Sequence, residues 1–233
     1  MFPVAILAGG LATRLRPLTE KIPKALINVA GKPFIVRQLH YLKTQGITNI
    51  VLCTGYLGEQ IESVVGNGRS FGMTVTYSPD GPLLLGTGGA LIKALPLLGE
   101  QFFVLYGDSF LPCDFKNVQA SFISSEKPAL MTVLKNGNLW DKSNVLFRNG
   151  MLIEYNKNSP KPGMEHIDYG LGILSAEVLK DSPSRQPLDL ADVYHRLSLE
   201  GRLSGFEVSE RFYEIGSHSG LKEAEDYFLA QEI

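Results

Sequence analysis

Two cysteines occur in 233 residues, Cys53 and Cys113, with no Cys-x-x-Cys spacing and no histidine cluster beside either. That excludes a disulfide framework and a structural zinc site as the basis of the fold. Cys53 lies in the apolar run Asn49-Ile50-Val51-Leu52-Cys53-Thr54 and reads as a small core residue. Neither sign of charge is in excess. The chain carries 22 basic and 24 acidic side chains, a formal net charge of −2, and no long basic tract, so no nucleic-acid partner is expected. No apolar run approaches the roughly 20 residues of a membrane-crossing helix, and Met1 to Leu7 lacks the basic start of a secretory leader. No membrane partner is expected, and a cytoplasmic location is. The four histidines, His40, His166, His195 and His218, share no motif.

What the chain does have is the ordinary make-up of a globular protein, 44% hydrophobic and 20% charged, in a strongly alternating first half. Val4–Ala8 is an apolar run of strand length closed by Gly9-Gly10. Pro33 opens a helix where its missing amide does no harm, with Ile35, Leu39 and Leu42 on one face and Gly46 at the end. Ile50–Thr54 is the next strand. A helix from Leu57 to Val65 follows, with Ile61, Val64 and Val65 turned inward. Strands over Met73–Tyr77 and Phe102–Tyr106 bracket a helix from about Thr87 to Leu98. Strand and helix in this alternation predict βαβ units and a mainly parallel sheet covered on both faces.

The second half is less regular. Ala129–Leu134, Asn144–Phe147, Met151–Ile153 and Tyr169–Leu174 read as strands, and Asn149-Gly150 is a two-residue hairpin turn. Asn156 to Met164 reads as a polar loop. Leu188–Leu199 and Leu221–Leu229 read as helices. One domain, 1–233, is expected, with one half (1–125) suited to binding phosphates and the other (126–233) to an acceptor.

Chemistry concentrates at the ends of these strands. Leu7-Ala8-Gly9-Gly10-Leu11-Ala12-Thr13-Arg14 is followed by Pro23-Lys24-Ala25-Leu26. A glycine pair leaving a strand lets backbone N–H groups approach an anion, and Arg14 and Lys24 supply cations suited to phosphates. No Gly-Lys-Ser/Thr follows, so this is not a Walker A loop, and the Gly-x-Gly-x-x-Gly spacing of dinucleotide sites is missing. Alone, the glycine pair reads as a tight strand exit, with Arg14 and Lys24 solvated. Leu85-Gly86-Thr87-Gly88-Gly89 opens a helix, with Thr87 expected as its N-cap. Phe102 to Asp108 ends an apolar strand in Gly107-Asp108, placing a carboxylate where open α/β sheets bind ligands. By itself that aspartate reads either as a helix cap or as an oxygen ligand for Mg²⁺.

Taken together these segments resemble the sugar-1-phosphate nucleotidyltransferase family. The resemblance implies a three-layer, Rossmann-like α/β fold with a mixed, mainly parallel central sheet. It also implies transfer of a nucleotidyl group from a nucleoside triphosphate to a sugar 1-phosphate with release of pyrophosphate and with Mg²⁺ as cofactor. Carried over residue by residue, Leu7, Ala8, Gly9, Gly10, Thr13, Arg14, Asp80, Gly86, Thr87 and Gly88 bind the nucleotide. Arg14 and Lys24 are catalytic, and Asp108 and Glu214 hold the metal. Lys24, Asn156, Lys157, Tyr169 and Gly170 bind the sugar phosphate. The chain departs from the family pattern at several places. Ala12 stands where glycine is usual, a methyl group that is tolerable if the backbone keeps a negative φ and that otherwise shifts the loop. Glu214, in Phe212-Tyr213-Glu214-Ile215-Gly216, replaces an aspartate, and its alternative is a structural pair with Arg211 or Lys222. Asn156 and Asn158 replace the glutamate and proline of a Glu-Lys-Pro element, and Asp168-Tyr169-Gly170 stands for Asn-x-Gly. Within the family the segments look most like the D-glycero-D-manno-heptose 1-phosphate guanylyltransferases, which implies GTP, a heptose 1-phosphate and a role in cell-surface polysaccharide synthesis. N-acetylmuramate 1-phosphate uridylyltransferases and mannose 1-phosphate guanylyltransferases follow. A silent nucleotide-sugar-binding subunit is the non-enzyme alternative, and homo-oligomerisation stays open.

Overall fold

The computed structural model describes residues 1–180 and 187–231. Four parallel strands with their connections start the chain: β1 (Val4–Ala8), the small hairpin β2 (Asn28–Val29) and β3 (Lys32–Pro33), α1 (Phe34–Thr44), β4 (Asn49–Thr54), α2 (Gly58–Val65), β5 (Thr74–Pro79), α3 (Gly86–Leu98) and β6 (Gln101–Tyr106). There follow β7 (Ser109–Phe110), α4 (Phe115–Ser125), β8 (Ala129–Lys135), the hairpin β9 (Val145–Arg148) and β10 (Met151–Tyr155), and the long β11 (His166–Ser175). The chain closes with α5 (Glu177–Lys180), α6 (Leu190–Leu199), β12 (Leu203–Val208), β13 (Tyr213–Glu214) and α7 (His218–Ala230).

A nine-stranded sheet runs in the order β10-β9-β11-β6-β1-β4-β5, with β8 pairing β11 and β12. The strands β6, β1, β4 and β5 are parallel neighbours, and β11 turns the sheet antiparallel against β6 and β8. The alternation of β1 shows why this segment is a buried strand. Val4 and Ile6 enter one core cluster with Leu39, Ile61 and Val118, while Ala5 enters the other with Leu91, Ala94 and Leu197. Helices therefore cover both faces, as the sequence reading anticipates. Emptying such a site, Leu39→Ala for instance, costs about 2–5 kcal/mol. A third, smaller cluster of Leu15, Phe34, Phe110, Ile215 and Phe228 sits where α7 covers the β7–β13 pair.

Three local expectations change. Val64 is 44% exposed, while Ile61 and Val65 are buried; the two lie four apart on one helical stripe, and Val64 falls on its flank. Ala12 takes φ 49 and ψ 41, the left-handed region, so the condition of a negative φ is not met. The turn is held there by Thr19, whose hydroxyl donates to the Ala12 carbonyl at 2.8 Å. Thr87 does not cap α3, as set out below. The helix α4 and strand β12 also go unread in the sequence. For α4 the signal is present: Asp114 accepts the Lys116 and Asn117 amides as an N-cap, and Phe115, Val118 and Phe122 form the apolar stripe. For β12 it is interrupted by Gly205, whose missing side chain makes room for Phe147 and Leu152.

Candidate active site

Two cavities open at the C-terminal edge of the parallel strands. The first, about 240 Å³, is walled by Leu7 and Ala8 at the end of β1 and Gly9 and Gly10 after it, by Asp80, Leu84, Gly86 and Thr87 before and within the start of α3, and by Lys24. The second, about 340 Å³, is walled by Tyr155, Lys157, Asp168, Tyr169, Gly170, Arg211 and Glu214 among others. Tyr106 and Asp108 line both. The end of β6 is thus the shared wall of two compartments.

The backbone explains how Asp108 comes to stand there. Gly107 donates its N–H to the Leu7 carbonyl at 2.9 Å, and a Cβ at Gly107 would meet Ala8 Cβ and Leu7 O at 3.0 Å. Only a bare backbone lets the exits of β1 and β6 lie this close. From α1, the buried Gln38 donates through Nε2 to the carbonyls of Tyr106 at 2.9 Å and Ser109 at 2.7 Å, so a single amide grips both sides of the Gly107-Asp108 turn. The sequence reading misses Gln38, which is 68 and 71 residues from its partners and looks like any polar residue on a helix.

Charge in the shared wall is paired crosswise. Lys24 Nζ lies 2.8 Å from Asp108 Oδ2. Glu214 pairs with Ser109 across the β13–β7 ladder, and the Ile215 N–H donates to the Asp108 carbonyl at 2.9 Å, which sets the two acids on adjacent backbones. The space a Cβ would take at Gly216 is bounded by Glu214 Oε2 at 2.9 Å and Arg14 Nη2 at 3.4 Å. Arg14, Lys24, Asp108 and Glu214 therefore converge. Burial raises the Glu214 carboxyl above its usual range, the Asp108 charge pushes it further, and Arg14 and Lys24 oppose both. Arg211, an alternative partner for Glu214, is paired with Glu223 instead.

Thr13 and Arg14 belong to a one-turn helix beyond the first cavity, and the Arg14 side chain extends toward Glu214. Gly88 is packed against Leu188, which occupies the place of a Cβ at 2.8 Å, and the Gly88 N–H donates to the Leu188 carbonyl at 2.8 Å. Thr87 donates its hydroxyl to Asp189 Oδ1 at 3.0 Å and accepts the Leu190 N–H at 2.8 Å, so it secures the start of α6, not its own helix. Asn156 turns into its loop, accepting the Ser159 N–H at 2.8 Å, while Lys157 reaches the second cavity and faces Asp189 at 3.7 Å. Asp80 is 9% exposed. Its Oδ2 accepts the Leu85 N–H at 3.3 Å, and its Oδ1 has no partner. Burial raises its carboxyl against the pull of that N–H and of Lys93.

The donor set suits a hard cation only in part by itself. Among the described residues no group of three or more His, Cys, Asp or Glu side chains is arranged to hold a metal. Two neighbouring carboxylates are instead what Mg²⁺ uses when phosphate oxygens and waters complete its shell, and the mutual repulsion felt by Glu214 is what a divalent ion relieves.

Residues 4–142 match the family model described as nucleotidyl transferase. The chain belongs to the nucleotidyl transferase family. Among its relatives, the N-acetylmuramate alpha-1-phosphate uridylyltransferase of Neisseria meningitidis serogroup B is 34% identical, covering 94% of this chain and 95% of its own. The D-glycero-alpha-D-manno-heptose 1-phosphate guanylyltransferase of Aneurinibacillus thermoaerophilus is 30% identical with the same coverage, 94% and 95%. The crystal structure of HddC from Yersinia pseudotuberculosis complexed with GMP-PN superposes with a TM-score of 0.79 at 26% identity, covering 98% of this chain and 100% of that one. The nucleotidyltransferase fold is thus a Rossmann-like α/β fold with a mixed, mainly parallel central sheet, and the protein is an enzyme of the nucleotidyltransferase class. No helix among the described residues is long and apolar enough to cross a membrane.

Proposed function

We propose that this nucleotidyltransferase joins GTP to a sugar 1-phosphate, a heptose 1-phosphate in the first instance, giving a GDP-sugar and pyrophosphate for cell-surface polysaccharide synthesis in the cytoplasm. The observation that carries the reaction is the convergence of Arg14, Lys24, Asp108 and Glu214 where the two cavities meet. A sugar-phosphate oxygen approaching from the second cavity attacks the α-phosphorus of a nucleotide seated in the first. A new O–P bond forms, the α–β bridge breaks, and the electron pair leaves on pyrophosphate. Such transfer needs in-line positioning and neutralised phosphate oxygens more than covalent chemistry from the protein. Arg14 and Lys24 supply fixed positive charge, and the glycine turn after β1 supplies close backbone approach. Asp108 and Glu214 would hold Mg²⁺, which when bound shields the phosphate oxygens and supports the leaving group.

Guanine is supported by Asp80. Asp80 lines the first cavity and its buried Oδ1 has no partner, and a carboxylate matches the adjacent N1–H and N2–H donors of guanine better than the single N3–H of uracil or thymine. The 34% identity to an N-acetylmuramate uridylyltransferase favours a second reading, UTP with N-acetylmuramate 1-phosphate. Pyrophosphate release measured over GTP, UTP, CTP and dTTP crossed with heptose, mannose and N-acetylmuramate 1-phosphates tests both. Turnover with GTP and heptose 1-phosphate is expected to exceed every other pair. Failure of every pair would remove the catalytic reading and leave that of a silent nucleotide-sugar-binding subunit.

A further inference from the structure

Asp189 lies outside the walls of both cavities, yet it stands between them. It is the N-cap of α6, and its Oδ1 accepts the Ala191 N–H at 3.0 Å. The same oxygen accepts the Thr87 hydroxyl at 3.0 Å, and Thr87 lines the first cavity. Its Oδ2 lies 3.7 Å from Nζ of Lys157, which lines the second. One carboxylate thus meets a side chain from each compartment.

That carboxylate has a firm seat. The start of α3 and the chain entering α6 are stitched together: Leu188 donates its N–H to the Leu85 carbonyl at 3.0 Å, and its own carbonyl accepts the Gly88 N–H at 2.8 Å. Thr87 Oγ1 accepts the Leu190 N–H at 2.8 Å. A Cβ at Gly86 would meet the Leu188 carbonyl oxygen at 2.5 Å, so the two backbones are in contact. The main chain around Lys157 is held as well. The Asn156 N–H donates to the Asn144 carbonyl at 2.8 Å, and Lys161 closes the loop by pairing with the buried Glu154 at 2.7 Å. What is left to swing is the flexible four-carbon stem of Lys157, and Asp189 meets its charged end.

Neither structural duty of Asp189 needs its charge. A cap and a hydroxyl each require one acceptor oxygen, which asparagine or serine supplies as well. An ion pair whose side chains are 56% and 50% exposed adds little to stability. What the negative charge does is fix where Lys157 points. Arg211, in the same wall, is paired with Glu223, so the aim of Lys157 decides how an entering phosphate is met. Resting on the nucleotidyltransferase reading above, with Lys157 taking the acceptor's phosphate, we propose that Asp189 is a positioning residue for the sugar 1-phosphate. It anchors the Lys157 ammonium from a seat built on the wall of the nucleotide cavity. An ammonium has three N–H donors, so one turned to Asp189 leaves others for the phosphate oxygens.

The test measures pyrophosphate release by the full chain, with the fastest pair found among GTP, UTP, CTP and dTTP crossed with heptose, mannose and N-acetylmuramate 1-phosphates. Asp189→Asn keeps the capping oxygen but turns an amide N–H toward the ammonium, donor against donor. It should raise the sugar KM roughly 3- to 10-fold, less than the loss of a buried charged contact. The triphosphate KM, kcat and Tm should stay near wild type, since an interaction lost equally from ground and transition states moves KM alone. Lys157→Ala should raise the sugar KM further, and in that background Asp189→Asn should add nothing, because its effect passes through Lys157. An unchanged sugar KM in folded Asp189→Asn would overturn the inference. So would an equal rise with and without Lys157, the mark of a structural role, or a matching rise in the triphosphate KM. If Asp189→Asn does not fold, Asp189→Ser, which also caps without charge, is judged by the same criteria. Each of these failures would leave nucleotidyl transfer intact. A wild type that releases no pyrophosphate with any pair would sink both readings.

Discussion

The two cavities recognise by different means. The first is walled largely by backbone and small side chains, Ala8, Gly9, Gly10 and Gly86, carried by parallel strands that neighbour one another around β1. The second is walled by long, varied side chains, Trp140, Tyr155, Lys157, Asp168 and Arg211, carried by antiparallel strands and the loops between them. A triphosphate is common to every reaction of this class, and a backbone that approaches closely, with Arg14 and Lys24 beside it, is the proposed means of seating it. The acceptor differs from enzyme to enzyme, and side chains are where such differences are written.

The sharpest way to break this division is at the shared wall. Lys24→Ala or Asp108→Asn should lower kcat at least about 100-fold, the scale of losing one preorganised charge contact, measured as pyrophosphate release by protein whose Tm shows it is folded. A smaller loss, about 10-fold or more in kcat, is expected from Gln38→Glu. That change keeps the shape but sets a carboxylate against the Tyr106 and Ser109 carbonyls, two acceptors that now have no donor. Nucleotide-induced thermal stabilisation should persist, because Gln38 holds the Asp108 turn and touches neither glycine loop. If nucleotide binding fails along with turnover, the two compartments are not separable.

Asp80→Asn sharpens the contrast from the other side. It should reduce kcat/KM for GTP about 10-fold and favour pyrimidine triphosphates in direct competition, since an amide gives up one of two acceptors. No change in base preference would remove Asp80 from base recognition. The smallest effect is at the first turn. Ala12→Gly should stabilise the fold by about 0.5–1 kcal/mol, because alanine carries the left-handed penalty that glycine escapes. Urea denaturation reads this directly, with sugar specificity unchanged.

How much of this is legible in the sequence follows the same division. Gly9-Gly10, Gly107-Asp108 and the strands that bear them are local patterns, so they can be read directly. Gln38, the Thr87–Asp189–Leu190 tie and the approach of Arg14 to Glu214 join residues far apart in the chain, and no spacing rule announces them. Ala12 misleads for another reason. Its side chain says nothing of its φ, and the Thr19 hydroxyl that bonds the Ala12 carbonyl lies seven residues on. Val64 and Ile61 differ by less than a helical turn, too fine a distinction for an apolar pattern that does not show which way the helix is rotated.

The abutting exits of β1 and β6 at Gly107 have a further consequence. Because Leu7 and Gly107 share a hydrogen bond, the glycine turn proposed to seat the triphosphate and the carboxylate proposed to stand beside the reacting phosphorus are bolted to one piece of interior. The rim around it is then free to diversify, one acceptor at a time, without detuning the reaction.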